Sequence, residues 1–144
     1  MKVESILRSK GRDVQTIGST VSLVLAVHQL SSMGIGALVV SDDGHRVDGL
    51  LGEREILRGL AKHNVGLLDL QVHDVMDRSP RLCSSQDTIR HAMAEMTRTR
   101  NRHLPVVDAG RLCGLISIGD VVKHRLEELE LEALVLRDVA VRHR

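Results

Sequence analysis

Arg102-His103-Leu104-Pro105-Val106-Val107-Asp108, followed closely by Gly114-Leu115-Ile116-Ser117-Ile118-Gly119-Asp120, is the stretch on which the reading of the chain turns. Residues 104–107 and 112–116 are β-rich runs joined by Asp108-Ala109-Gly110, a polar turn of hairpin type. The second run ends at Ile116 and a helix begins just after Ser117, which sets Ser117 and Asp120 at a helix N-terminus. Unpaired backbone N–H groups and the macrodipole favour an anion there. The Asp120 carboxylate accepts hydrogen bonds and donates none, so it suits the hydroxyls of a ribose, and Ser117 adds a donor and acceptor beside it. Arg102 and His103 offer positive charge to a phosphate. The same residues also have a plainer use. Ser-x-x-Asp is a helix-capping pattern, and Ser84-Ser85-Gln86-Asp87 shows it again with no ligand implied. Arg98, Arg100 and Arg102 equally suit the end of a solvated helix.

Working outward, the stretch has a counterpart earlier in the chain. Gly49-Leu50-Leu51 matches Gly114-Leu115-Ile116, Val39-Val40 matches Val106-Val107, and Val3-Glu4-Ser5-Ile6-Leu7 matches Val72-His73-Asp74-Val75-Met76. The offset between copies shrinks along the chain, as it does when loops shorten, so the sequence is two units. Each opens with a short apolar strand (14–17; Leu82 and Cys83) and a polar helix start (Ser19-Thr20; Ser84 to Asp87). A helix follows, with Val21, Val24, Leu25 and His28, or Ile89, Ala92, Met93 and Met96, at helical spacing. Two strands come next, residues 37–40 and 47–51 in the first unit, and then a second helix, from Glu53 to about His63 or from Ile118 onward. The order strand-helix-strand-strand-helix, performed twice, predicts an α+β fold. Repeats 1–64 and 65–124 pack on each other with pseudo-twofold symmetry, because neither is large enough alone.

A helical extension over 125–144 completes the chain. Val122, Leu126, Leu129, Ala133, Leu136 and Ala140 recur alternately four and three apart. That face either packs back on its own module or helps to form a homodimer.

Composition removes several function classes. Among 144 residues, 20 Lys and Arg stand against 19 Asp and Glu, a net charge of +1 that generates no field to draw nucleic acid or anionic lipid. There is no Phe, Tyr or Trp, so neither a base-stacking platform nor an aromatic cage can form. Cys83 and Cys113 are too few for a disulfide framework or a four-cysteine zinc site, and the histidines lack metal-ligand spacing, so no metal is expected. Charges of both signs at the N-terminus exclude a signal peptide, and a cytoplasmic chain follows. Residues 14–41 carry no Asp, Glu, Lys or Arg, yet Gln, Ser, Thr and His interrupt them too often for a membrane span. The remaining candidates have structural readings. Met76, Met93 and Met96 fill the core, His28 is a core or cleft histidine, and His63, His73, His91 and His124 lie on the surface. No nucleophile, base and orienting group assemble, so no catalytic residue is expected and the chain is read as no enzyme.

The repeated pattern, and especially 102–108 with 114–120, resembles a tandem pair of CBS (cystathionine beta-synthase) domains, the Bateman module, as found in small stand-alone bacterial proteins. The resemblance covers about residues 3–126. It implies a module that binds AMP, ADP, ATP, NAD or S-adenosylmethionine between the repeats, as a regulatory ligand and with no cofactor required. Carried onto this sequence, Ser117 and Asp120 hold the ribose, Arg102 and His103 meet phosphate, and Leu104, Pro105, Gly114 and Ile116 line the adenine pocket. The first repeat departs from the pattern. Gly52 lacks the hydroxyl, Glu55 is one methylene longer than aspartate, and Ile35-Gly36 replaces the basic pair, although Arg54 retains a charge for phosphate. Gly52, Arg54 and Glu55 therefore form a second, degenerate site. The expected function is a non-catalytic regulatory sensor, as in energy sensing, that acts as a homodimer on a separate effector protein. The alternative is a structural or protein-interaction module with degenerate ligand sites.

Overall fold

The first repeat starts from two short strands side by side. β1 (Thr16–Ile17) runs parallel to β2 (Ala37–Val40), and β2 pairs antiparallel with β3 (Gly49–Gly52), with Val39 opposite Leu50. Every residue of β2 and β3 is buried, which explains their unbroken apolar sequence; a strand covered on both faces needs no alternation. α1 (Val3–Lys10) opens the chain and α2 (Leu23–Met33) links β1 to β2. Gly34 ends α2 in a left-handed conformation (φ 63°), its N–H turned back on the Leu30 and Ser31 carbonyls. α3 (Glu53–His63) leaves directly from β3. In the second repeat α4 (Ile89–Thr99) precedes the hairpin of β4 (His103–Asp108) and β5 (Arg111–Ser117), and α5 (Ile118–Arg142) leaves directly from β5. The computed structural model describes residues 1–142; His143 and Arg144, the end of the expected extension, lie outside the described residues.

The two repeats exchange segments. Val3, Ile6 and Leu7 of α1 are buried with Ile89, Met96, Leu104, Ile116 and Val121 of the second repeat. Leu67 and Val72 are buried with Leu23, Leu30, Leu38 and Leu51 of the first, and Val75 and Met76 pack against that cluster. Equivalent hydrogen bonds fix the two exchanges. The Val3 N–H donates to the Asp87 carbonyl and the Ile89 N–H to that of Met1; likewise Val72 donates to Val21 and Leu23 to Leu70. The segments matched as sequence repeats, 3–7 and 72–76, are thus the ones that clasp the opposite partner. Glycine permits the close approach. A side-chain carbon on Gly114 would collide with Leu7, and one on Gly49 would sit 2.7 Å from the Met76 sulfur and 2.8 Å from the Asp77 carbonyl. Each buried aliphatic side chain in these clusters contributes about 1.5–3 kcal/mol.

The α+β fold of two repeats and a C-terminal helix is the one the sequence predicts, with local differences. The strand expected at Leu82 and Cys83 is reduced to a single parallel bridge between Cys83 and Val106. The polar starts of α2 and α4 act one turn early. Ser19 donates to Asp42, Ser84 donates to Asp108, and the caps proper are Ser22 and Thr88, whose hydroxyl accepts the His91 N–H. His28, expected in the core or cleft, is exposed, because α2 turns Leu23, Ala26 and Leu30 inward instead. His124, expected on the surface, is buried, with Nδ1 2.9 Å from the Asp120 carbonyl one turn earlier. The methionines behave as core filling, Met96 buried and Met76 and Met93 packed at its edge.

Candidate functional site

A cleft of about 300 Å³ opens between the repeats. Its walls come from the β3–α3 turn (Gly52, Glu53, Arg54, Glu55), the starts of β2 and β4 (Gly36, Ala37, His103), and the α4–β4 loop (Arg100, Asn101, Arg102). Gly36 and His103 hold equivalent places in the two repeats and face each other. A side-chain carbon on Gly36 would lie 3.0 Å from His103 Cε1, so the glycine leaves the imidazole room that a larger residue would take. Arg54 crosses between the repeats, donating to Asn101 Oδ1 at 2.6 Å and to the Arg100 carbonyl at 3.2 Å. It braces Arg100, which adopts a left-handed conformation (φ 58°) uncommon for a side-chain-bearing residue. Glu55 is buried, and its carboxylate accepts the Gly52 N–H at 3.1 Å.

Arg102 and His103 thus share this cleft with Gly52, Arg54 and Glu55, the residues of the first-repeat motif. Ser117 and Asp120 are not part of its lining; they lie beyond His103, whose strand partner is Ser117. Their turn is a reciprocal cap. The Ser117 N–H donates to Asp120 Oδ2 at 2.9 Å, and the Asp120 N–H donates to Ser117 Oγ at 3.1 Å. A third group joins them, for Lys10 Nζ donates to Asp120 Oδ2 at 2.7 Å and to the Leu115 carbonyl at 3.0 Å. Leu104, Pro105, Gly114 and Ile116 are buried in the β4–β5 hairpin, Gly114 directly against Leu7.

Burial raises the Asp120 carboxyl, but hydrogen bonds from Lys10 and the Ser117 N–H together with the Lys10 charge outweigh it and hold the group below its ordinary range. Burial lowers the His103 imidazole, and Lys10 lowers it further against the opposing charges of Glu53, Asp120 and Glu55. His103 is therefore neutral near pH 7, a hydrogen-bonding group rather than a cation. The thiols are inert, burial pushing Cys83 up to about 12 and Cys113 up to about 11. No cluster of three or more His, Cys, Asp or Glu is placed to hold a metal ion among the described residues. No helix among them is long and apolar enough to cross a membrane.

Sequence reasoning missed Lys10 and Asn101. No local pattern marks Lys10, whose partner lies at the far end of the chain. Asn101 stood beside the quoted basic pair, and its neighbour Arg100 had only a helix-end reading.

A fold of two equivalent strand-helix units clasped by exchanged segments, with charged turns meeting at their junction, defines a paired-repeat module. The family model for the CBS domain matches residues 3–62 and again 72–127, and the chain belongs to the CBS-domain family. It is similar to a CBS-domain containing protein from Agrobacterium tumefaciens, at 41% identity and a TM-score of 0.82 over 87% of this chain and 99% of that one. It is also similar to the mitochondrial CBS domain-containing protein CBSX3 of Arabidopsis thaliana, 30% identical over 148 aligned positions that cover 92% of this chain and 71% of the relative. The structure of CBSX2 in complex with AMP matches at 25% identity and a TM-score of 0.73, over 88% of this chain and 96% of that one.

Proposed function

We propose that the chain is a non-catalytic regulatory module that binds an adenosine-containing ligand, AMP, ADP, ATP, NAD or S-adenosylmethionine, between its repeats. The observation that carries this is the meeting of polar groups from both repeats in one cleft: Arg54 from the first, Arg102 and the His103 imidazole from the second, with the Asp120 carboxylate just beyond, in the turn that follows His103's strand partner. A ligand there touches both halves and so favours one of their relative arrangements, which a separate effector protein reads. Ser117 and Asp120 hold the ribose and Arg102 and His103 meet the anionic end; Leu104, Pro105, Gly114 and Ile116, buried within the β4–β5 hairpin and outside the cleft lining, support that strand from behind rather than line a base pocket. Gly52, Arg54 and Glu55 form the weaker counterpart. CBSX2, solved with AMP, supports the ligand class. The module works in the cytoplasm, where these ligands circulate.

Ligand-dependent melting by calorimetry tests the reading. At a concentration of 100 times Kd, binding stabilises by about 2.7 kcal/mol and raises Tm by roughly 5–10 °C. Expected is a rise with at least one adenosine ligand and none with GTP; the absence of any rise sinks the proposal.

The proposal includes a homodimer. Beyond Glu128 every described residue of α5 is exposed, including Leu129, Leu131, Leu134, Leu136 and Val139, so this segment does not pack back on its own module. Val27, Leu57 and Leu60 add exposed apolar surface along the groove between α2 and α3. Light scattering on the full chain should give twice the monomer mass, and Leu129→Glu with Leu136→Glu should reduce it. The same exposed helix favours the second reading, an interaction module with degenerate ligand sites, in which these changes abolish partner binding while ligands have no effect.

A further inference from the structure

The turn proposed to hold the ribose is already engaged by a cation from the other end of the chain. Lys10, the last residue of α1, reaches Asp120 and the Leu115 carbonyl, and its charge also bears on His103. It stands there because α1 is the segment exchanged onto the second repeat. The neighbouring charges are unevenly committed. Of the acids, Asp120 is taken by Lys10 and the Ser117 N–H and Glu55 by the Gly52 N–H with Arg54 at 3.6 Å, while Glu53 lines the cleft exposed. Arg102 is exposed at the cleft edge, and Arg100 lines the same wall.

Consider what each ligand class does to the Lys10–Asp120 pair. A nucleoside without phosphate offers ribose hydroxyls to Asp120, displacing a charge-assisted bond and leaving the Lys10 ammonium without an anion. A ligand bearing phosphate makes the same demand but supplies Lys10 with a replacement anion. S-adenosylmethionine carries a sulfonium and an ammonium against one carboxylate, and this net cation meets a place where Lys10, Arg54, Arg100 and Arg102 outnumber Glu53, Glu55 and Asp120. We propose that Lys10 is the selectivity residue of this site, making it a receptor for phosphate-bearing adenosine ligands in preference to adenosine and S-adenosylmethionine. The inference rests on the ligand reading above and narrows its class.

Titration calorimetry at fixed low salt on the full-length protein tests it, with AMP, adenosine and S-adenosylmethionine as probes. The wild type should bind AMP at least tenfold more tightly than either of the others. Lys10→Met should cut the ratio of AMP to adenosine affinity by about tenfold, through tighter adenosine binding, weaker AMP binding or both. Lys10→Arg should keep most of the ratio, and added salt should shrink it in the wild type more than in Lys10→Met. Lys10 is exposed at a helix end, so both variants should melt within a few degrees of wild type. A ratio unchanged in Lys10→Met overturns the role of Lys10 while leaving the ligand reading intact. Wild type that prefers S-adenosylmethionine or adenosine overturns the ligand class, and wild type that binds none of the three removes the ligand reading itself.

Discussion

The turn from β3 into α3 and the turn from β5 into α5 occupy equivalent places, yet they meet the same requirement differently. At Ser117–Asp120 the cap is reciprocal, two side chains each accepting the other's N–H, and the carboxylate also takes the Lys10 ammonium. At Gly52–Glu55 only half the cap exists, since Gly52 has no side chain to accept with, and the longer Glu55 is drawn inward and buried. The lesson concerns surroundings as much as residue types. The first turn borders the open cleft, whereas the second is roofed by a lysine from α1, so the repeat with the fuller motif is the more guarded one.

Substitutions in the two turns and the two clasps separate what the repeats share from what they do not. The largest effects should fall where the repeats are alike. Gly114→Val and Gly49→Val each force a side chain into an exchanged segment, against Leu7 or against Met76 and the Asp77 carbonyl, and should each cost about 2–3 kcal/mol in denaturant unfolding. A large cost at one glycine only would show that the two clasps are not equivalent. Next, Asp120→Ala should lose about 1 kcal/mol from the cap and abolish the ligand-induced rise in Tm. Glu55→Ala, measured in the same melts, should destabilise without removing that rise. The opposite assignment would make the first repeat the working site.

A graft probes the difference from the other side. Gly52→Ser with Glu55→Asp rebuilds the second-repeat motif in the first, although the new side chain must fit 3.2 Å from the Gly36 carbonyl. Calorimetry should then show a second binding event per chain; unchanged stoichiometry would mean that the motif alone does not make a site. The smallest effect is on acid stability. The Asp120 carboxyl lies below its ordinary value of 3.8 in the folded protein, so the unfolded chain takes up its proton first as pH falls. Its contribution is present above about pH 4 and is lost as pH drops through the folded value. Between pH 6 and pH 3, Asp120→Asn should therefore lose less Tm than wild type, and equal losses would show that the Lys10 pair contributes nothing measurable.

Much of this architecture was readable from the sequence because its signals are local. The strand runs at 37–40 and 104–107, the helix from Glu53 to His63 and the glycines closing each hairpin appear where apolar periodicity and turn residues put them. The failures share a cause. His28 and His124 both sit on helices with apolar residues on more than one face, so spacing alone did not fix the inward one: packing turned Leu23, Ala26 and Leu30 inward on α2, leaving Leu25 exposed, and Val121 and His124 inward on α5. The strand at Leu82 and Cys83 shrank to one bridge because only Cys83 makes the backbone pair, to the Pro105 carbonyl and from the Val107 N–H, before Ser84 and Ser85 turn to the Asp108 side chain.

The candidate site divides the same way. Residue type and spacing were enough to name Ser117 and Asp120 as a cap or a ribose holder and to mark Gly52 and Glu55 as its altered copy, since a cap is completed within four residues. Only tertiary structure brought Arg102 and His103 into one cleft with Arg54, set Gly36 where His103 needs room, and delivered Lys10 to Asp120. Those contacts depend on how two repeats and an exchanged helix pack together. A short-range pattern carries no record of which distant charge will be carried to which turn.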